Sequence, residues 1–63
     1  MRTIKEFEND ERRVTLRYTN DGQYSVSILL RDGKTTGAIY KSLYWAERKF
    51  NDYKNNPLET IKF

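Results

Sequence analysis

Arginine and hydroxyl side chains alternate with apolar residues along the first half of the chain, and they define the chemistry open to it. Arg13, Thr15 and Arg17 stand at every second position, and Ser25 and Ser27 repeat that spacing further on. Guanidinium groups bind phosphates and carboxylates through paired hydrogen bonds, and hydroxyls reach phosphates and base edges. These residue types therefore point to contact with a phosphate backbone or an acidic surface.

Groups that commonly carry catalysis are scarce, since the sequence has no histidine and no cysteine. Histidine is the usual general base and metal ligand, and cysteine supplies thiolate ligands and disulfides. Glu6, Glu8, Asp10 and Glu11 cluster near the N-terminus, where we expect them to be solvated. No glycine-rich phosphate loop, nucleophile motif or metal-ligand spacing is present. We therefore expect a non-enzymatic protein without metal or cofactor.

The chain is short and its charge is unevenly spread. Its 63 residues carry a net charge of +3, and 14% of them are aromatic. Residues 12–50 hold eight basic and three acidic side chains (+5), whereas residues 1–11 hold two basic and four acidic ones (-2). This length predicts one small domain, and the aromatic content favours folding over disorder. Without a signal peptide or a membrane-spanning apolar run, we expect a cytoplasmic protein that does not contact membranes.

The elements that would position these groups are a three-stranded antiparallel β-meander over residues 13–40 and a helix after it. The meander is predicted from alternating apolar and polar residues separated by turn sequences. A three-residue loop at 20–22 pairs Leu16 with Val26, and a two-residue turn at 32–33 pairs Val26 with Ile39. Both registers place apolar residues on one inner face: Val14, Leu16, Tyr24, Val26, Ile28, Leu30 and Ile39.

The outer face then carries the candidate binding residues. Strand parity assigns it Arg13, Thr15, Arg17, Ser25, Ser27, Leu29, Arg31, Thr36, Ala38 and Tyr40, with no acidic residue among them. Lys34 lies at the tip of the second hairpin and can join the rim of this face. The predicted nucleic-acid-binding residues are Arg13, Arg17, Arg31, Lys34 and Tyr40. A solvated sheet face rich in Ser, Thr and Arg is the alternative interpretation.

A helix over residues 42–55 is predicted to cover the inner face. Ser42 is a favoured N-cap, and Asn55-Asn56-Pro57 ends the helix. Its apolar stripe consists of Leu43, Ala46, Phe50 and Tyr53. Within the acidic arm at 1–11, residues 3–9 are expected to form either a helical turn or an added strand. The tail at 57–63 is apolar enough to fold back on the core.

Trp45 lies away from the apolar stripe of this helix, beside basic residues. Together with Arg48 and Lys49 it forms a candidate protein interface, since tryptophan and arginine often anchor interfaces. The alternative is that one of the terminal arms folds over the indole. We expect such coverage, because a chain this small has few large apolar groups to bury.

The pattern from the third strand into the helix resembles two kinds of DNA-binding domain. These are the plant ethylene-response-factor type and the N-terminal arm-binding domain of integrases. The likeness covers residues 13–54 and rests on Gly37-Ala38-Ile39-Tyr40-Lys41-Ser42 followed by a helix bearing Ala46 and Tyr53. It implies that the outer face of the sheet docks in the major groove of DNA. The groups it would bring to the DNA are Arg13, Arg17, Arg31 and Lys34.

From these observations we expect an α+β domain that acts as a small regulatory nucleic-acid-binding module. The alternative is a phage-type inhibitor or adaptor that occupies the surface of a host protein. Either could work as a homodimer, joined through an edge strand or through Trp45.

Overall fold

The computed structural model describes residues 2–63, in which four strands precede one helix. The strands are β1 (Arg2–Glu8), β2 (Arg12–Tyr18), β3 (Tyr24–Leu30) and β4 (Thr35–Tyr40), followed by helix α1 (Leu43–Asn55) and a 3₁₀ turn (Leu58–Thr60). The strands form one antiparallel sheet in the order β1-β2-β3-β4. The predicted α+β class is confirmed, but the sheet has four strands rather than three.

The additional strand is β1, which settles the two alternatives for the N-terminal arm in favour of a strand. Lys5 and Phe7 lie opposite Leu16 and Val14 of β2, so the Phe7 ring packs against the core. The register shifts between Thr3 and Lys5, where the strand bulges. Burial of Phe7 and pairing with β2 stabilise this strand, whereas a helical turn here would gain neither.

The pairing of β2 with β3 confirms the predicted register. Leu16 lies opposite Val26, and Tyr18 lies opposite Tyr24 with the two ring centroids 5.3 Å apart. Gly22 adopts a φ of 84°, which an L side chain rarely takes, and closes the predicted three-residue loop.

The pairing of β3 with β4 differs from prediction by one residue. Val26 lies opposite Ala38 rather than Ile39, because the loop holds three residues, 31–33, instead of two. A two-residue Asp-Gly turn of type I′ requires positive φ at both positions. Gly33 alone takes one here, at 97°, and no non-glycine residue among the described ones does so.

The one-residue shift turns β4 over. The inner face, which packs against the helix and carries Ile28 and Val26, now includes Thr36, Ala38 and Tyr40. Thr35, Gly37 and Ile39 lie on the outer face, and Ile39 is 63% exposed. The predicted places of Thr36, Ala38 and Tyr40 on the outer face and of Ile39 on the inner face were therefore wrong.

The core lies between the sheet and α1. Val14, Leu16, Val26 and Ile28 are fully buried, and the helix adds Ala46, Phe50 and Tyr53 from its predicted stripe. The predicted helix is confirmed at both ends, since it follows Ser42 and stops before Asn56-Pro57. In the tail, Leu58 and Ile61 pack against this core. None of the helices in residues 2–63 combines the length and apolar character needed to cross a membrane.

Arg12 ties the start of β2 to the end of α1. Its side chain is buried, and Nη1 donates to the carbonyl oxygens of Tyr53 at 2.6 Å and Asn56 at 2.7 Å. Nη2 contacts the carboxylate of Glu11 at 2.7 Å. The last carbonyls of a helix lack partners within the helix and carry partial negative charge, so a guanidinium is a suitable cap.

Candidate functional site

The outer face of the sheet is a grid of side chains in three rows across the four strands. Residues directly opposite one another in neighbouring strands belong to the same row. The middle row is Glu6, Thr15, Ser27 and Gly37. One flanking row is Thr3, Arg17, Ser25 and Ile39, and the other is Glu8, Arg13, Leu29 and Thr35.

The middle row forms a trough across β2, β3 and β4, because its side chains there are small. Ser27 is short and half-buried and Gly37 has no side chain and is exposed, whereas Thr15 is only 5% exposed because its neighbours cover it. A Cβ atom at Gly37 would stand 2.7 Å from the backbone oxygen of Val26, so the strands are too close there for a larger residue. The two flanking rows lie about 13 Å apart, four residues along a strand. The trough is thus floored by Thr15, Ser27 and Gly37.

Arg13 and Arg17 stand on opposite sides of this trough, both on β2. Arg13 forms an ion pair with Glu8 of β1 at 2.9 Å, and the two side chains are 50% and 56% exposed. Arg17 shares its row with Thr3 and Ser25. Half-exposed ion pairs contribute little net stability, so the Arg13 guanidinium can exchange this partner for another anion at small cost.

The expectation of an outer face without acidic residues was wrong. Because the N-terminal arm is a strand, Glu6 and Glu8 lie on the same face as Arg13. Glu6 closes the β1 end of the trough, since it shares the middle row with Thr15. Within the strands, the positive charges of this face are therefore limited to Arg13 and Arg17 on β2, next to the acidic strand β1.

Arg31 lies in the β3–β4 loop and Lys34 directly follows this loop, at the end of the sheet nearest Arg13. The Arg31 Nη1 donates to the carbonyl oxygen of Asp10 at 3.1 Å, which draws its side chain toward the β1–β2 turn. Lys34 is exposed, and its backbone N–H donates to the carboxylate of Asp32 at 3.0 Å. The structure thus brings Arg13 and Arg31 to one end of the face and Arg17 to the other.

Tyr40 does not belong to this surface. It was predicted to bind nucleic acid from the outer face, but it lies opposite Tyr24 on the inner face. Its side chain is half-buried and packs against the core cluster. The one-residue shift in the β3–β4 register is the reason.

A second surface is formed by Tyr44, Trp45 and Arg48 on α1, which we call the aromatic cluster. Trp45 is 55% exposed, so the expectation that a terminal arm covers it was wrong. The Tyr44 and Trp45 rings meet edge to face at 5.0 Å, and the Arg48 guanidinium lies 5.6 Å from the Trp45 ring centre. Arg48 Nη1 also donates to the Tyr44 hydroxyl at 3.2 Å.

That hydrogen bond fixes the Arg48 side chain against both rings. The hydrogen bond to Tyr44 is the largest cause of a raised pKa at Arg48, whose guanidinium is charged at neutral pH in any case. Lys49, the third predicted interface residue, lies on another flank of α1, with its Nζ 5.3 Å from the Tyr53 ring centre. The aromatic cluster is therefore a preorganised cationic surface that does not include Lys49.

Sequence reasoning missed Glu6, Glu8 and Tyr44, which shape these surfaces, and Arg12, which caps helix α1. The alternation of Glu6 and Glu8 with Lys5 and Phe7 is a strand signal that would have placed both acids on one face. No local signal marks Arg12 as a helix cap, because the carbonyl oxygens that it caps lie more than 40 residues away.

No family model, curated protein or solved structure matches the chain.

Proposed function

We propose that this protein is a non-enzymatic nucleic-acid-binding module that holds a phosphodiester backbone against the outer face of β2, β3 and β4. The observation that carries the proposal is the trough of Thr15, Ser27 and Gly37, with Arg13 and Arg17 on its two sides. Neutral residues line the floor, and Arg13 and Arg17 lie in the rows on either side of it.

This arrangement suits a polyanion for steric and electrostatic reasons. Small residues on the floor allow an extended chain to approach the sheet closely. Arg13 and Arg17 then reach phosphates from either side, since guanidinium forks match phosphate oxygens. Ser25 in one flanking row adds a hydroxyl donor, whereas the Thr35 hydroxyl already donates to the carbonyl oxygen of Ile28 at 2.9 Å. Arg31 and Lys34 extend the positive charge past the end of the sheet.

The acidic strand β1 determines which strands the nucleic acid covers in the proposed interface. Glu6 and Glu8 repel phosphates at the β1 end, so the nucleic acid lies over β2, β3 and β4 and leaves β1 uncovered. The resemblance to DNA-binding domains with a three-stranded sheet favours the same three strands. Duplex and single-stranded nucleic acids are therefore both included in the test.

The test is charge reversal at the two arginines of the trough, in the variant Arg13→Glu/Arg17→Glu. Binding of fluorescent duplex DNA, single-stranded DNA and RNA is measured by polarisation across a salt series. We expect the variant to bind at least about tenfold more weakly and with a shallower salt dependence, because two phosphate contacts are lost. The matched control is Lys54→Glu/Lys62→Glu, which makes the same charge change outside the sheet face.

Two results would overturn the proposal. One is that the native chain binds none of these nucleic acids at low salt. The other is that the arginine variant, folded by circular dichroism, binds as well as the lysine control.

The exposure of the aromatic cluster favours a second candidate, binding of a protein partner. Trp, Tyr and Arg are the residue types that most often dominate interface energies. This candidate predicts capture of a partner that survives nuclease treatment and is lost in Trp45→Ala. Capture should persist in the Arg13→Glu/Arg17→Glu variant, since the two surfaces lie on different faces of the domain. Loss of capture in both variants would contradict it.

A further inference from the structure

Strand β4 ends the sheet with an unpaired edge. The Leu30 N–H donates to the Lys34 carbonyl at 2.8 Å, which makes this a hydrogen-bonded pair. Bonded and non-bonded pairs alternate along an antiparallel ladder, so Thr36, Ala38 and Tyr40 bond to β3. The N–H and C=O groups of Thr35, Gly37 and Ile39 therefore point away from the sheet.

The two edges of the sheet differ in their protection. On β1, a bulge between Thr3 and Lys5 interrupts the ladder, and Lys5, Glu6 and Glu8 place charges along the strand. These are the usual devices that prevent edge-to-edge pairing. Strand β4 reads Thr-Thr-Gly-Ala-Ile-Tyr, with no charge, no proline and no bulge in its pairing with β3. Its Ile39 is also 63% exposed.

We propose that β4 pairs antiparallel with β4 of a second copy of this chain, about a two-fold axis at Gly37. Gly37 then lies opposite the partner's Gly37, and Thr35 lies opposite the partner's Ile39. This inference rests on the edge strand alone and does not depend on nucleic-acid binding.

The occupant is a second copy because the strand is complementary to itself in this register. The outward groups of Thr35, Gly37 and Ile39 meet the same three residues in reverse order, so every free N–H and C=O finds a partner. Such self-complementary contacts are the rule in two-fold dimers.

The dimer would extend the trough on the outer face. A two-fold axis perpendicular to the sheet keeps both outer faces on the same side. The floor then runs through Thr15, Ser27 and Gly37 into the partner's Gly37, Ser27 and Thr15. The floor crosses β2, β3 and β4 of both copies, and the five spacings between these six strands give it a length of about 24 Å, at about 4.8 Å per spacing. The acidic β1 strands lie at the two far ends.

The association is expected to be weak. One chain exposes 4542 Å² in total, and a six-residue edge buries less than the roughly 800 Å² per partner of a standard interface. Sedimentation equilibrium is therefore run from about 1 μM to about 1 mM, which brackets micromolar dissociation constants. We expect reversible dimers in the upper part of this range. A native chain that remains monomeric throughout would overturn the proposal.

Two substitutions of the same kind locate the interface. Ile39→Lys puts a charge on the β4 edge, and we expect it to abolish the dimer. Leu29→Lys is the control, because Leu29 is exposed on the same outer face but belongs to β3, which is paired on both sides within the sheet. A chemically synthesised chain with an N-methyl group at Ile39 removes one outward N–H, with N-methyl Glu6 on the β1 edge as its control. Equal dimerisation of the β4 variants and their controls would contradict the β4 interface.

The register is tested by disulfide formation, since the native sequence has no cysteine. Thr35→Cys/Ile39→Cys should form a covalent dimer on oxidation, because bonded antiparallel pairs bring Cα atoms about 5.5 Å apart, within disulfide range. Within one strand these positions are about 13 Å apart, too far to join. Each single cysteine variant should remain unlinked. Linkage of the single variants as efficient as that of the double variant would contradict the axis at Gly37.

Discussion

Glu8 and Arg13 face each other across the first two strands, with a carboxylate oxygen 2.9 Å from a guanidinium nitrogen. The pair joins the acidic arm to the basic face, so an anion that binds Arg13 must compete with Glu8. The acidic arm and the basic segment, which follow one another in the sequence, therefore place opposite charges side by side in the fold.

Removal of this competitor should strengthen nucleic-acid binding. Glu8→Gln keeps the size of the side chain but frees Arg13, and we expect tighter binding with a steeper salt dependence in a polarisation titration. The unfolding free energy should change by less than about 1 kcal/mol, since the pair is half-exposed. Glu59→Gln, in the 3₁₀ turn, is the control for net charge. Equal affinities of the two variants would show that Glu8 does not compete.

Loss of Arg12 should destabilise the domain far more than loss of its neighbour. Arg12→Ala leaves the carbonyls of Tyr53 and Asn56 without their donor, and we expect a loss of about 2–4 kcal/mol in the free energy of unfolding. Arg13→Ala should cost less than about 1 kcal/mol. Urea titrations followed by circular dichroism measure both. Similar losses in the two variants would contradict the role of Arg12 as a helix cap.

The same truncation at two isoleucines tests the observed register of β4. Ile28 is fully buried, so Ile28→Ala should cost about 2–5 kcal/mol. Ile39 is 63% exposed, and Ile39→Ala should change stability by less than about 0.5 kcal/mol. Thermal melts at about 1 μM protein keep any dimer dissociated. A large loss of stability in Ile39→Ala would contradict the observed register and favour the one expected from the sequence.

Two glycines should resist substitution for different reasons. Gly33 has a φ of 97° and no neighbour within 4 Å of a Cβ, so Gly33→Ala costs about 1–2 kcal/mol of backbone strain and Gly33→Asn costs less. Gly37→Ala places Cβ 2.7 Å from the Val26 oxygen and should cost about 1–3 kcal/mol, with Gly37→Asn no better. Urea midpoints of the four variants distinguish strain from steric conflict. Recovery by asparagine at Gly37 would contradict the steric explanation.

The fold could be predicted from the sequence where local signals and burial agreed. The alternation around Leu16 and Val26 and the turn at Gly22 specify one register, and the structure confirms it. At the second Asp-Gly pair, two loop lengths fit the same residues, and the apolar Ile39 favoured the wrong one. Turn type depends on backbone φ angles that the letters Asp-Gly do not determine.

The site was harder to predict than the fold, because its limits depend on pairing between distant segments. The positions of Arg13 and Arg17 on the outer face could be predicted from strand parity alone. Glu8 enters the site only once β1 pairs with β2, and Tyr40 leaves it only through the shifted loop. The resemblance to ethylene-response-factor and integrase domains stays a prediction, as does the nucleic-acid interface.

The short connections of the sheet have a consequence for the order in which the chain folds. Three, five and four residues join its successive strands, so each hairpin can form from neighbouring segments without closing a long loop. The contact of Arg12 with Tyr53 joins residues 41 positions apart and can form only when the helix docks. Topologies dominated by local contacts fold fast. We expect the hairpins to form early and the docking of the helix to be the late, rate-limiting step, with Arg12 as its reporter in a mutational analysis of folding rates.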